Sequence, residues 1–75
     1  MARFALQAIS AMANRRVAEI LELPAHEREL RYRCYWKNCY EAALRAGGRD
    51  AVAREQADRM ERWIRRRVDA IERRA

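Results

Sequence analysis

The side chains able to carry out covalent or acid–base chemistry are few and far apart. His26 is the sole imidazole, Cys34 and Cys39 the sole thiols, and Ser10 the sole aliphatic hydroxyl, since the chain has no Thr. A nucleophile and its base must come within about 3 Å of each other. His26 and Cys34 are eight positions apart, about 12 Å of rise on one helix, and Ser10 has no base near it in sequence. Tetrahedral zinc needs a fourth ligand beyond His26, Cys34 and Cys39, and those three diverge around a helix. The five-residue spacing of the cysteines turns them by about 140° and holds their Cα atoms about 8 Å apart, beyond disulfide reach. The expectation is no catalytic residue, no metal and no cofactor, with two reduced thiols of the kind a cytoplasmic protein keeps.

Two clusters could bind rather than react. Tyr32, Tyr35, Trp36 and Tyr40 are interleaved with Arg31, Arg33 and Lys37. Exposed rings beside cations stack on bases and track the phosphates of a single strand. The same rings at helical spacing can instead fill a small core with their hydroxyls reaching the surface, and because all four share one face the core reading is favoured. Farther along, Arg59, Arg62, Arg66 and Arg73 fall in one sector, with Arg65, Arg67 and Arg74 around it. Such a stripe suits phosphates or an acidic partner, although Asp58, Glu61, Asp69 and Glu72 are placed to neutralise part of it. It does not resemble a bZIP basic region, because no zipper heptads follow it, and the segments are too long for a helix-turn-helix.

The elements that must position these residues are set by two interruptions, Pro24 and the Gly47–Gly48 pair. Proline cannot continue a helix already begun, and paired glycines end one readily. Between these breaks, Leu6, Ile9, Ala13, Val17, Ile20 and Leu21 share one arc of the first segment, with Phe4 off it. The aromatic residues, Cys39, Ala42, Ala43 and Ala46 share one face of the second, which puts Cys39 in the core and Cys34 on the polar side. Ala53, Ala57, Met60, Ile64, Val68 and Ile71 make a clean helical stripe in the third, with Asp50 as its expected N-cap. Acid-then-base pairs four residues apart, such as Glu55 with Arg59 and Glu61 with Arg65, support that helix. The prediction is an all-α, antiparallel three-helix bundle in one domain over residues 1–75, with helices at about 2–22, 25–46 and 51–73.

Composition agrees. A chain 51% hydrophobic and 37% charged is too apolar for disorder, and with so few β-branched residues it is unsuited to a sheet. Its weakly polar run from Phe4 to Ala13 is too short to span a bilayer. The charge of +6, from sixteen Arg and one Lys against eleven acids, favours acidic partners.

The apolar faces of the second and third segments are wider than one core contact needs, since Val52, Trp63 and Ala70 extend the third to about 160°. Phe4, Tyr35, Trp36 and Trp63 are therefore the expected apolar partner contacts, either in a homodimer or against another protein. The function expected from these features is that of a non-enzymatic, basic protein-binding module, an accessory or inhibitor that occupies a surface on a larger complex. Short basic helical chains of this kind are common among phage and plasmid proteins, a generic likeness that no motif here narrows. The alternative is a nucleic-acid-binding protein using Arg59, Arg62, Arg66 and Arg73, with Arg31 and Arg33.

Overall fold

A computed structural model describes the backbone of residues 2–74 and the side chains of residues 11–74. Three helices, α1 (Ala2–Glu22), α2 (Ala25–Arg45) and α3 (Asp50–Arg74), run in an all-α, up-down-up arrangement. Each falls within a residue or two of its predicted bounds, because the local signals that end helices are decisive here.

Pro24 takes the N-cap position of α2 with φ −58° and ψ 148°. The extended ψ turns the chain sharply between α1 and α2. The glycine pair closes α2 as a Schellman motif: the Gly48 N–H donates to the Ala43 carbonyl and the Gly47 N–H to that of Leu44, each at 3.0 Å. Gly47 has φ +91°, a left-handed conformation that strains any side-chain-bearing residue. Gly48 is needed for a different reason, since a Cβ there would lie 2.9 Å from the Ala43 carbonyl oxygen.

Asp50 is not the N-cap of α3. The first intrahelical bond runs from the Ala53 N–H to the Arg49 carbonyl at 2.8 Å, which makes Arg49 the cap and Asp50 the first helical residue. Its carboxylate is drawn away from the backbone by two partners, accepting from the Tyr40 hydroxyl and from Arg54.

The core is built where the stripes meet. Val17 and Ile20 from α1, Tyr32 and Tyr35 from α2, and Ile64 and Val68 from α3 form one buried cluster, with Leu21, Leu23 and Met60 packed around it. Ala13 adds one more buried position on α1, and Ala53 and Ala57 continue the buried stripe of α3 toward the glycine turn. Cys39, expected in this core, is only half-buried, and Cys34 is exposed as expected. The side chains of Phe4, Leu6 and Ile9 lie outside the described residues.

The arrangement is flat. Its Cα atoms span 39 × 28 × 14 Å. The radius of gyration is 13.1 Å, against about 11.4 Å for a compact chain of this length. Accessible surface tells the same story: 6081 Å², where a compact 8.9-kDa monomer exposes about 4,800 Å². α3 lies between α1 and α2 and packs against both, while the backbones of α1 and α2 barely approach each other; a layer one helix thick leaves its two broad faces open, so apolar residues on them keep their water contact.

Candidate partner-binding surface

A polar and aromatic seam joins α2 to α3 and determines which charges stay available. At its upper end Arg28 donates to the Leu23 carbonyl at 3.2 Å and to Glu72 at 2.7 Å, tying the α1–α2 turn to α3. Next, Arg65 grips Glu29 through both terminal nitrogens, at 2.5 and 3.1 Å, while its guanidinium lies 4.1 Å from the centre of the Tyr32 ring. The Trp36 indole N–H donates to Asp58 at 2.7 Å, and the Trp36 ring stacks on Tyr40 at 5.1 Å. Tyr40 then donates to Asp50.

The direction of several ionisations follows from these contacts. The hydrogen bond from Arg65 holds the Glu29 carboxyl below its ordinary range. The hydrogen bond from Tyr40, and then that from Arg54, do the same for Asp50. Burial raises the Tyr32 hydroxyl. Burial, and after it the bond to Glu19, pushes Tyr35 up to about 12.

The aromatic cluster is thereby placed in the protein's own packing. Tyr35, expected on a partner-facing surface, is 6% exposed; its ring packs in the core, with Arg16 above it and Glu19 accepting from its hydroxyl. Trp36 is half-buried and holds α3 through Asp58. Tyr35 presents no free ring face, and Trp36 has one face covered by Tyr40, whereas a stacking platform requires open rings. The signal available in the sequence was the alignment of acids with aromatics, although which acid meets which ring depends on helix register.

Three carboxylates of α3 have also been redirected. Asp58 and Glu72, which the sequence placed as neutralisers of the basic stripe, turn to Trp36 and Arg28, and Glu61 lies 3.5 Å from Arg65. Among the described residues, ion pairs within 4.0 Å are made by Arg28, Lys37, Arg54, Arg59 and Arg65. Arg62, Arg66, Arg67, Arg73 and Arg74 are exposed and stand outside these pairs. Arg59 is engaged with Glu55 at 3.1 Å.

Arg31 and Arg33 do not join this set as a unit. Two positions apart on a helix, they point about 200° apart. Arg31 lines a shallow groove of about 350 Å³ with Leu23, Glu27, Leu30 and Cys34, whereas Arg33 is exposed elsewhere on α2.

Beside the free arginines of α3 lies the apolar surplus. Trp63 is 43% exposed, Val52 45% and Ile71 36%. On the helical wheel Val52, Trp63 and Ala70 lie within about 20° of one another, Arg59, Arg62, Arg66 and Arg73 border them on one side, and Arg67 and Arg74 on the other. Leu30 on α2 is a second exposed apolar residue, at 68%.

Among the described residues no three of His, Cys, Asp and Glu converge on a point that would hold a metal, and no helix is long and apolar enough to cross a membrane. No protein-family model matches the chain, and neither a curated protein nor a solved structure is significantly similar to it.

Proposed function

We propose that this chain is a non-enzymatic protein-binding module, a small basic cytoplasmic protein that acts as an accessory or inhibitor by occupying a surface on a larger protein complex. The observation that carries the reading is Trp63, a large ring left 43% exposed on α3 and bordered by Arg62, Arg66, Arg67, Arg73 and Arg74, which stand outside the ion pairs made among the described residues. Tryptophan and arginine are the residue types that most often dominate binding energy when a partner desolvates them. The excess accessible surface supports association of some kind, since a flat slab gains by covering its outer face.

The test is photo-crosslinking in the source cell, with benzoylphenylalanine at position 63 in one chain and at position 30 in another. A discrete protein adduct in stoichiometric yield is the expected result. Recovery of the chain without any protein adduct, from either position, would rule the reading out.

A second reading, nucleic-acid binding through Arg62, Arg66 and Arg73, is favoured by one observation: three of the four acids expected to neutralise them, Asp58, Glu61 and Glu72, are turned toward α2 or Arg65. Its signature is binding to a generic duplex or single strand whose affinity falls steeply with salt. Purified protein with a raised absorbance ratio at 260 over 280 nm would be its first sign.

A further inference from the structure

We infer that the ridge of α3 formed by Val52, Trp63 and Ala70 docks on an acidic protein surface, inserting Trp63 into an apolar pocket rimmed by carboxylates. This rests on the protein-binding reading and names the partner's chemistry and the face that meets it.

Three observations select this occupant. The first is charge complementarity. The ridge has exposed arginines along both borders, Arg62, Arg66 and Arg73 on one and Arg67 and Arg74 on the other, and the seam has taken Asp58, Glu61 and Glu72 for other contacts. A partner rim of carboxylates therefore meets unpaired guanidinium groups, which hold carboxylates in a bidentate fork. The second concerns a second copy of this chain. Each copy carries +6 overall, and self-association on this face would bring two arginine borders together, a juxtaposition of like charges that disfavours the pairing. The third concerns nucleic acid. A single strand needs successive stacking rings, but Tyr32 and Tyr35 are buried, Trp36 and Tyr40 are half-buried and stack on each other, and among the described residues Trp63 is the one exposed ring, at 43%. A duplex backbone would set the apolar ridge against phosphates, where it gains nothing.

Val52 to Ala70 covers 18 positions, about 27 Å of helix. That length suits the apolar stripe of a partner helix or the furrow between two helices. Trp63 sits near its middle, where surrounding contacts exclude water from the central anchor.

The experiment is a titration of the ¹⁵N-labelled full chain with three probes. These are a 21-residue helical peptide with Leu at heptad a and d positions and Glu elsewhere, the same peptide with Lys in place of Glu, and a 20-base-pair DNA duplex. The expected result is binding of the Glu peptide alone, with shifts centred on the Trp63 indole, Val52 and Ala70. That binding should weaken about tenfold or more in Trp63→Ala and, independently, in the double variant Arg62→Glu, Arg66→Glu. The double variant alters only exposed side chains and keeps the test informative if Trp63→Ala unfolds. Equal binding of the Lys peptide, or no binding of the Glu peptide, overturns the inference. Shifts confined to Leu30 and Cys34 overturn the α3 face and leave the protein-binding reading standing. Binding of the duplex alone, weakened by the arginine variant, overturns both.

Discussion

The Tyr35 hydroxyl donates to the Glu19 carboxylate while the Arg16 guanidinium lies 5.0 Å from the centre of the Tyr35 ring, so that one α2 side chain receives two from α1. These contacts join α1 to α2 beside the core cluster. Burial of the Tyr35 ring, and after it the bond to Glu19, couples the ionisation of this hydroxyl to the fold.

Raising pH should expose that link. A tyrosine near 10 in the unfolded chain and at about 12 in the fold contributes stability that is intact below pH 10 and is lost as pH climbs toward 12. Thermal melting followed by circular dichroism should show this loss in the native chain and a smaller one in Tyr35→Phe, which has no proton to lose there. Tyr32 and Tyr40, both also raised, account for the remainder. Equal alkaline losses in the two proteins would contradict the assignment. At neutral pH the variant should be less stable by about 1–3 kcal/mol, the usual worth of a hydrogen bond to a charged group.

Acid acts on the contacts between α2 and α3. Glu29 and Asp50 are held below their ordinary values by Arg65 and Tyr40, so their contribution is present above the usual carboxylate range and declines as pH falls through it. Glu29→Gln should flatten the stability profile below pH 5, and added salt should shrink the difference because the pair is exposed. Chemical denaturation at pH 7 and pH 3.5 measures both.

Ile64 is fully buried at the centre of the core. Ile64→Ala should cost about 2–5 kcal/mol, a large share of the stability open to a domain this small. Val52→Ala, on the exposed ridge, should change stability by less than about 0.5–1 kcal/mol. Urea unfolding of the two variants separates residues that hold the fold from those left for a partner; similar losses would place Val52 in the core.

The α2–α3 turn should be intolerant of side chains at both glycines. Gly47→Ala must adopt positive φ, at about 1–2 kcal/mol. Gly48→Ala brings its Cβ against the Ala43 carbonyl oxygen and should disturb the Schellman bonds as well. Hydrogen exchange at the Gly48 amide position, which donates to Ala43, should speed up in Gly47→Ala if the motif is what closes α2.

Much of this structure was legible in the order of residues. Pro24, Gly47 and Gly48 divide the chain because φ restriction, a missing N–H and left-handed freedom are properties of single residues and their immediate neighbours. The stripe Ala53, Ala57, Met60, Ile64, Val68 and Ile71 was readable for a similar reason, since helical periodicity fixes which side chains share a face: four of the six are buried and Met60 packs against the core, while Ile71, near the end of α3, is 36% exposed. Periodicity also placed Val17 and Ile20 correctly, and it held Cys34 outside.

Tertiary structure alone decided how the charges and rings were paired. Asp58 is four residues before Arg62 and could have neutralised it, but α2 brings the Trp36 indole N–H to Asp58 instead. Tyr35 and Trp63 look alike as surplus aromatics, but α1 packs beside one and the flat arrangement leaves the other 43% exposed. Asp50 had the composition of a cap until Tyr40 and Arg54 took its oxygens. Local sequence sets which face a residue occupies. Which neighbour meets that face depends on the register and angle between helices, and that is settled only when all the apolar stripes are packed together.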